Sequence, residues 1–204
     1  MTIRHHKGDL PDLSNYRDSV AIDTETLGLN LQRDRLCVIQ LSPGDGTADV
    51  VQIGAGQGSA PNIEKLLTNP KVTKIFHFGR FDIAMLSHAF GCTVAPVYCT
   101  KIASRLARTY TDRHGLKDLV RELLSVDLSK QQQSSDWGAA TLTSAQLEYA
   151  ASDVLYLHAL RDKLNVMLQR EGRDSLAAAC FGFLPDRALL DLMGWAEQDI
   201  FSHE

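Results

Sequence analysis

The stretch Ser19-Val-Ala-Ile-Asp23-Thr-Glu25-Thr26 decides how this chain is read. Its first half is short, β-branched and apolar, as a buried strand is, and it ends in Asp23-Thr24-Glu25. Residues two apart on a strand project to the same face, so both carboxylates project together. Adjacent carboxylates repel unless something positive lies between them, and hard cations such as Mg2+ or Mn2+ take carboxylate oxygens. Alone, an Asp-x-Glu triplet is equally the mark of a solvated strand end. Its meaning rests on the rest of the chain.

Outward from this strand, Leu36–Leu41 and Ala48–Ile53 read as two more, joined through the turn-rich Ser42-Pro-Gly-Asp-Gly-Thr47 into an antiparallel meander. A helix is expected to start after Pro61 and run to about Leu67, where Asn69-Pro70 stops it. Thr73–Phe78 reads as a strand and Gly79 to about Phe90 as a helix, with Phe81, Ala84 and Met85 at helical spacing. Val97–Cys99 is a fifth short strand leading into a helix from Thr100, and Leu116–Leu124 is another helix. Thr143-x-x-Gln146 is a capping box that opens one long helix, Ser144 to about Arg170. A last helical region from Asp174 is expected to break around Gly182 to Pro185. Strands first and helices after, with one βαβα passage, predict an α/β domain: a mixed sheet flanked by helices. A chain of 204 residues suits one hydrophobic core.

Composition narrows the function. The net charge of −4 argues against a broad basic surface that tracks long nucleic acid. It leaves room for a site that meets phosphates through bound cations. No apolar run approaches the roughly 20 residues of a membrane-spanning helix. The first ten residues lack the apolar stretch of a secretory signal, so a cytoplasmic location is expected. Cys37, Cys92, Cys99 and Cys180 are scattered, with no C-x-x-C pair, and read as small apolar side chains.

Three further residues give Asp23 and Glu25 their company. Asp82 falls in the first turn of the helix after the fourth strand, where the helix dipole favours an acid in any case. Tyr149 and Asp153 are four apart on the long helix and share a face. Leu147, Ala150, Ala151, Val154, Leu155 and Leu157 make that helix largely apolar, and a carboxylate on it is costly unless paired or metal-bound. Two metals about 4 Å apart would serve phosphodiester hydrolysis, activating the attacking water and stabilising the leaving oxygen. Asp23 suits the bridging position, with Glu25 and Asp153 completing one metal site and Asp82 orienting the other. Tyr149 would align the attacking water; with an ordinary pKa near 10, positioning is the safer role.

Ala21-Ile-Asp-Thr-Glu-Thr26, His77-Phe-Gly-Arg-Phe-Asp82 and Tyr149-Ala-Ala-Ser-Asp153 together resemble the three motifs of the RNase D branch of the DEDD exonucleases. Ser135-Asp-Trp-Gly-Ala-Ala-Thr-Leu142 resembles the family's lead into its third motif, and the resemblance runs from about residue 19 to 165. Tyr149 occupies the position of the tyrosine subtype, while the histidine subtype's position holds Glu148. The resemblance implies a ribonuclease H-like fold with a five-stranded mixed sheet, and 3′→5′ exonuclease activity with two divalent cations, Mg2+ or Mn2+. It assigns Asp23, Glu25, Asp82 and Asp153 as metal ligands and Tyr149 as the fifth catalytic residue.

The chain is too short after Asp153 to carry RNase D's helical accessory domains, and it is similar instead to the compact nanoRNase C group. That similarity implies one exonuclease domain over residues 1–204, with helices in 172–204 packing on it or on a neighbouring subunit. It implies short oligoribonucleotides and dinucleotides as substrates, 5′-mononucleotides as products, and a homo-oligomer, in that group a ring-like octamer. In related oligoribonucleases a leucine in the place of Leu29 wedges between the terminal bases; the competing reading is that Leu29 or Leu27 caps the core. Thr24, His77, Arg80 and Gln133 are further candidates for substrate contact, as are Arg105 and Arg108, which with Lys101 share a helical face by spacing. Arg80 would suit two phosphate oxygens. Cys99 stands where RNase D usually has an aspartate, which bears on substrate placement. The alternatives are RNase D-like processing of longer RNA, an exonuclease on DNA, and a non-catalytic RNA-binding module. The last would be expected to have lost one or more of the acids.

Overall fold

The computed structural model describes residues 2–128, 132 and 134–203. Among these, six strands form one mixed sheet: β1 (Thr2–Lys7), β2 (Ser19–Thr26), β3 (Leu36–Ser42), β4 (Thr47–Gln52), β5 (Thr73–Phe76) and β6 (Val97–Cys99). Their order is β1-β4-β3-β2-β5-β6. β2, β3 and β4 form the expected antiparallel meander, while β5 runs parallel to β2, and β6 parallel to β5. The site-bearing strand is therefore central and β3 is wholly buried.

The fold class is as expected, but the sheet has six strands and not five. β1 was missed because Thr2-Ile-Arg-His-His-Lys7 shows no apolar alternation. It pairs in parallel with β4 as an edge strand, and buried Asp49 on β4 holds it. The Asp49 carboxylate accepts two 2.7 Å bonds from Arg4 and 2.6 Å from the Tyr16 hydroxyl, and lies 2.7 Å from His6 Nε2.

The helices are α1 (Pro61–Thr68), α2 (Arg80–Phe90), α3 (Thr100–Ala107), α4 (Leu116–Leu124), α5 (Ser144–Leu155), α6 (Leu157–Arg170) and α7 (Asp174–Leu192). Thr143 and Gln146 form the capping box on α5 with both reciprocal bonds. The long helix expected from 144 to 170 is broken at Tyr156. Its halves answer to different partners: α5 lies on β2, β3 and β4, whereas α6 packs on α3, α4 and α7. Conversely, α7 continues through Pro185. Its buried residues Phe181, Leu184 and Ala188 keep the helix in register against its neighbours, overriding the local break. No helix among the described residues is long and apolar enough to cross a membrane.

Candidate active site

Asp23 and Glu25 project from β2 toward α5, the helix that supplies Asp153. One oxygen from each of Asp23, Glu25 and Asp153 can be chosen so that all lie within 4.8 Å of one another, the only such group of metal-binding residue types among the described residues. Asp82, buried in the first turn of α2, accepts a 2.6 Å hydrogen bond from the Thr24 hydroxyl. Tyr149 lies one turn before Asp153, its ring 6.0 Å from that of buried Trp137.

This arrangement is electrostatically costly. Burial, then the charges of Asp82, Asp153 and Glu25, push the Asp23 carboxyl well above the carboxylate range. Burial, then Asp153 and Asp82, raises Glu25 to about 8. Burial raises Asp153 to about 7, against the lowering effect of the Tyr149 hydroxyl. Asp82 is raised by burial to about 6, with the Thr24 bond opposing. Burial and the adjacent carboxylates also raise Tyr149 above its usual value, so it is a neutral phenol at neutral pH. Four carboxyls converging where none has a cationic side-chain partner among the described residues are suited to bind positive charge, and an all-oxygen donor set fits a hard divalent cation.

A family model described as 3'-5' exonuclease matches residues 10–169, which contain all five of these side chains. The chain belongs to the 3′-5′ exonuclease family. The chain is 36% identical over 169 residues to ribonuclease D of Acidiphilium cryptum, covering 83% of this chain and 43% of that one. It thus spans less than half the length of such relatives. It is also similar to Brucella melitensis NrnC with bound Mg2+, at 66% identity over the full length of both chains and a TM-score of 0.97. The same Brucella protein bound to pGG aligns at 67% identity over both full lengths, with a TM-score of 0.98. Escherichia coli RNase D aligns at 27% identity over 84% of this chain and 45% of that chain, with a TM-score of 0.74.

The residues expected to touch substrate divide sharply in the structure. Leu29 is 84% exposed at the tip of the turn after β2 and so is no core residue. The turn is shaped beneath it: the Asn30 N–H donates to Asp34 Oδ2 at 3.0 Å, and a Cβ at Gly28 would fall 2.4 Å from that oxygen. Leu27 instead rests on Gly138, whose Cβ position lies 2.6 Å from its Cδ2. Arg105 is exposed on α3.

Four other candidates have side chains engaged within the fold. Arg80 is committed to Asp191, with Nη2 to Oδ1 at 2.6 Å, and to the Ala196 carbonyl at 2.8 Å, so its fork clamps α2 to the end of α7. Arg108 does not share the face of Lys101 and Arg105. It follows the last turn of α3, is fully buried, and donates to Glu122, to Ser104 Oγ and to the Arg113 carbonyl. The Thr24 hydroxyl is spent on Asp82. His77 lies 2.9 Å from the Thr100 hydroxyl through Nδ1, and burial, then Lys101, lowers its pKa to about 3, leaving it uncharged at neutral pH. Gln133 lies outside the described residues.

Two features of the site escaped the sequence. Gln40 is the cross-strand partner of Asp23 and is fully buried, with neither side-chain amide atom paired among the described residues. Only register reveals it. Phe78, between β5 and α2, is exposed with a φ of +62°; an aromatic residue just before Gly79 was its one visible signal.

Proposed function

We propose that the chain hydrolyses short oligoribonucleotides and dinucleotides from the 3′ end to 5′-mononucleotides, with two divalent cations, Mg2+ or Mn2+. The observation that carries this is the convergence of Asp23, Glu25 and Asp153 within 4.8 Å. Asp23, Glu25 and Asp153 would hold one cation, and Asp82 with Asp23 would support the second. When bound, the cations supply charge neutralisation for the phosphoryl oxygens and activation of the attacking water. Thr24 fixes the Asp82 carboxylate by its hydroxyl bond. Tyr149, as a neutral phenol beside Asp153, orients the water that displaces the 3′ oxygen, while Trp137 fixes its ring.

Preference for short substrates is supported by Leu29, which stands free beside the site and presents an apolar surface to bases. The Brucella relative bound to pGG supports the same reading. We propose further that residues 1–204 work as one exonuclease unit and assemble as a homo-oligomer, as a ring-like octamer. Leu189, Met193 and Phe201, exposed in and after α7, support a subunit contact there. The ribonuclease D relatives favour a second reading, processing of longer RNA 3′ ends.

Purified protein incubated with 5′-labelled dinucleotide, heptanucleotide and long RNA, with Mg2+ or with chelator, separates the readings. Fast metal-dependent loss of the dinucleotide is expected. Laddering of long RNA that stalls before the dinucleotide would transfer the protein to the processing class. Asp23→Asn should abolish turnover and leave the protein folded; near-normal turnover would sink the site assignment.

A further inference from the structure

Among the described residues, two that are not glycine adopt positive φ: Ser125 and Phe78. Ser125 has an ordinary reason, since it is the left-handed cap that ends α4. Phe78 has none of that kind. It is a bulky aromatic residue in a backbone region that disfavours it, and it is 52% exposed. Such strain is kept where the surrounding structure enforces it and is most often found at functional sites. Here the enforcement is visible. A Cβ at Gly79 would fall 2.5 Å from Phe76 Cβ, so the chain turns sharply between β5 and α2 and throws the Phe78 ring outward.

The place of that ring is informative. β5 runs parallel to β2, so the chain leaves β5 at the edge of the sheet where β2 carries Asp23 and Glu25. Asp82, four residues after Phe78 and in the first turn of α2, is among the converging carboxyls, so the turn that carries the ring leads directly into the site. Lys101, in the first turn of α3, places Nζ 3.8 Å from the ring centroid and covers one face. With about half of the residue exposed, ring surface remains for a planar ligand. Flat aromatic surfaces next to a phosphate-handling site hold bases by stacking, whatever the base identity. An ammonium on the far face both fixes the ring and adds positive charge toward the nucleotide.

We propose that Phe78 is a stacking platform for one base of the substrate, backed by Lys101, on the α2–α3 side of the carboxylates. The platform rests on the reading of the site as a nuclease for short RNA and assigns it a specificity-determining residue. It acts on binding of the nucleotide, before and during the reaction alike, so its loss raises KM more than it lowers kcat.

Phe78→Gly is the decisive variant, because glycine accepts the left-handed backbone and removes only the ring. Phe78→Asn, which also tolerates that region, is its companion should the glycine chain fail to fold. The probes are a 5′-phosphorylated dinucleotide, its two analogues lacking one base each, and a dinucleotide with the scissile P–O3′ oxygen replaced by methylene. On the dinucleotide, KM for Phe78→Gly should rise roughly 5- to 150-fold, the range for loss of one base–aromatic stack. Phe78→Trp should restore it. On the analogue lacking the stacked base, wild type and variant should converge, an outcome that a merely structural role would not produce. KM within twofold of wild type, or an equal loss on every analogue, overturns the platform. So does a change of assembly state by light scattering, which would make Phe78 a subunit contact. Calorimetric binding of the methylene analogue separates the two levels. Binding weakened by the variant, in a protein with no turnover, keeps the platform and removes the nuclease reading; turnover with unweakened binding does the reverse.

Discussion

Replacing Asp49 with asparagine tests whether the edge strand β1 is held by one buried carboxylate and not by apolar contact. Asp49 is 4% exposed and receives Arg4, Tyr16 and His6 on its two oxygens. Burial alone would raise its pKa; the hydrogen bonds of Arg4, Tyr16 and His6 outweigh that and hold it at about 2. The folded chain therefore releases this proton more readily than the unfolded chain does. The stability this contributes is present above about pH 4 and is lost as pH falls toward 2. From 3.8 down to about 2, at about 1.4 kcal/mol per pKa unit, the charge contributes about 2.5 kcal/mol at pH 7. Asparagine keeps the shape and removes the charge, so Asp49→Asn should melt about 5–10 °C lower for a chain of this size. Urea unfolding followed by far-UV circular dichroism at pH 7 and pH 3 checks it, with the gap between the proteins falling to about half at pH 3. Below its melting temperature the variant should keep wild-type kcat, because β3 and β4 separate β1 from β2. Equal stability at pH 7, or a gap that does not shrink in acid, refutes the reasoning.

Leu29→Ala should raise KM for dinucleotides about tenfold, the loss of a side chain buried against a base, with no change in melting temperature, because Leu29 is 84% exposed. A collapse in stability would return Leu29 to the core. Arg108→Met should destabilise by about 1–3 kcal/mol, since Ser104 Oγ and the Arg113 carbonyl lose a donor; Arg105→Met should raise KM at unchanged stability. The opposite pattern in paired melts and kinetics would restore Arg108 as the substrate contact. Gln40→Met should raise the stability of chelated protein by about 1–3 kcal/mol, because it removes a buried amide with no partner among the described residues. A lower melting temperature would mean that the amide is satisfied in solution.

The sequence showed the five catalytic candidates because their spacing belongs to local geometry. Asp23 and Glu25 share a strand face, Tyr149 and Asp153 share a helix face, and Asp82 opens a helix. Thr143 and Gln146 were legible for the same reason: a capping box spans a single turn. Leu29 was half-legible. That a turn follows β2 could be read, but not that both leucines are exposed there, Leu27 at 55% and Leu29 at 84%, with Leu27 lying against Gly138, more than a hundred residues away. β1 was hidden because its hold on the sheet comes from Asp49 and from backbone pairing with β4 rather than from an apolar pattern.

The two misread arginines show what an arginine's neighbours in sequence leave out. Arg80 stands beside the second motif and looked free to meet phosphate, yet its partners are Asp191 and Ala196, at and beyond the end of α7. Because Arg80 opens the same helix that carries Asp82, this ion pair ties the placement of one of the converging carboxyls to the C-terminal helix. Arg108 likewise acts through structure: its buried guanidinium gathers Ser104, Arg113 and Glu122, and Ser104 Oγ in turn lies 2.8 Å from His114 Nδ1. The charge of these two arginines is thus spent on joining elements of the fold. On the proposed reading, the charge that meets the phosphates would come from Lys101, Arg105 and the cations held by the carboxylates. On that reading an acidic chain would carry a phosphodiesterase site without a broad basic surface, and such a site would suit a substrate of a few nucleotides better than one that must be tracked.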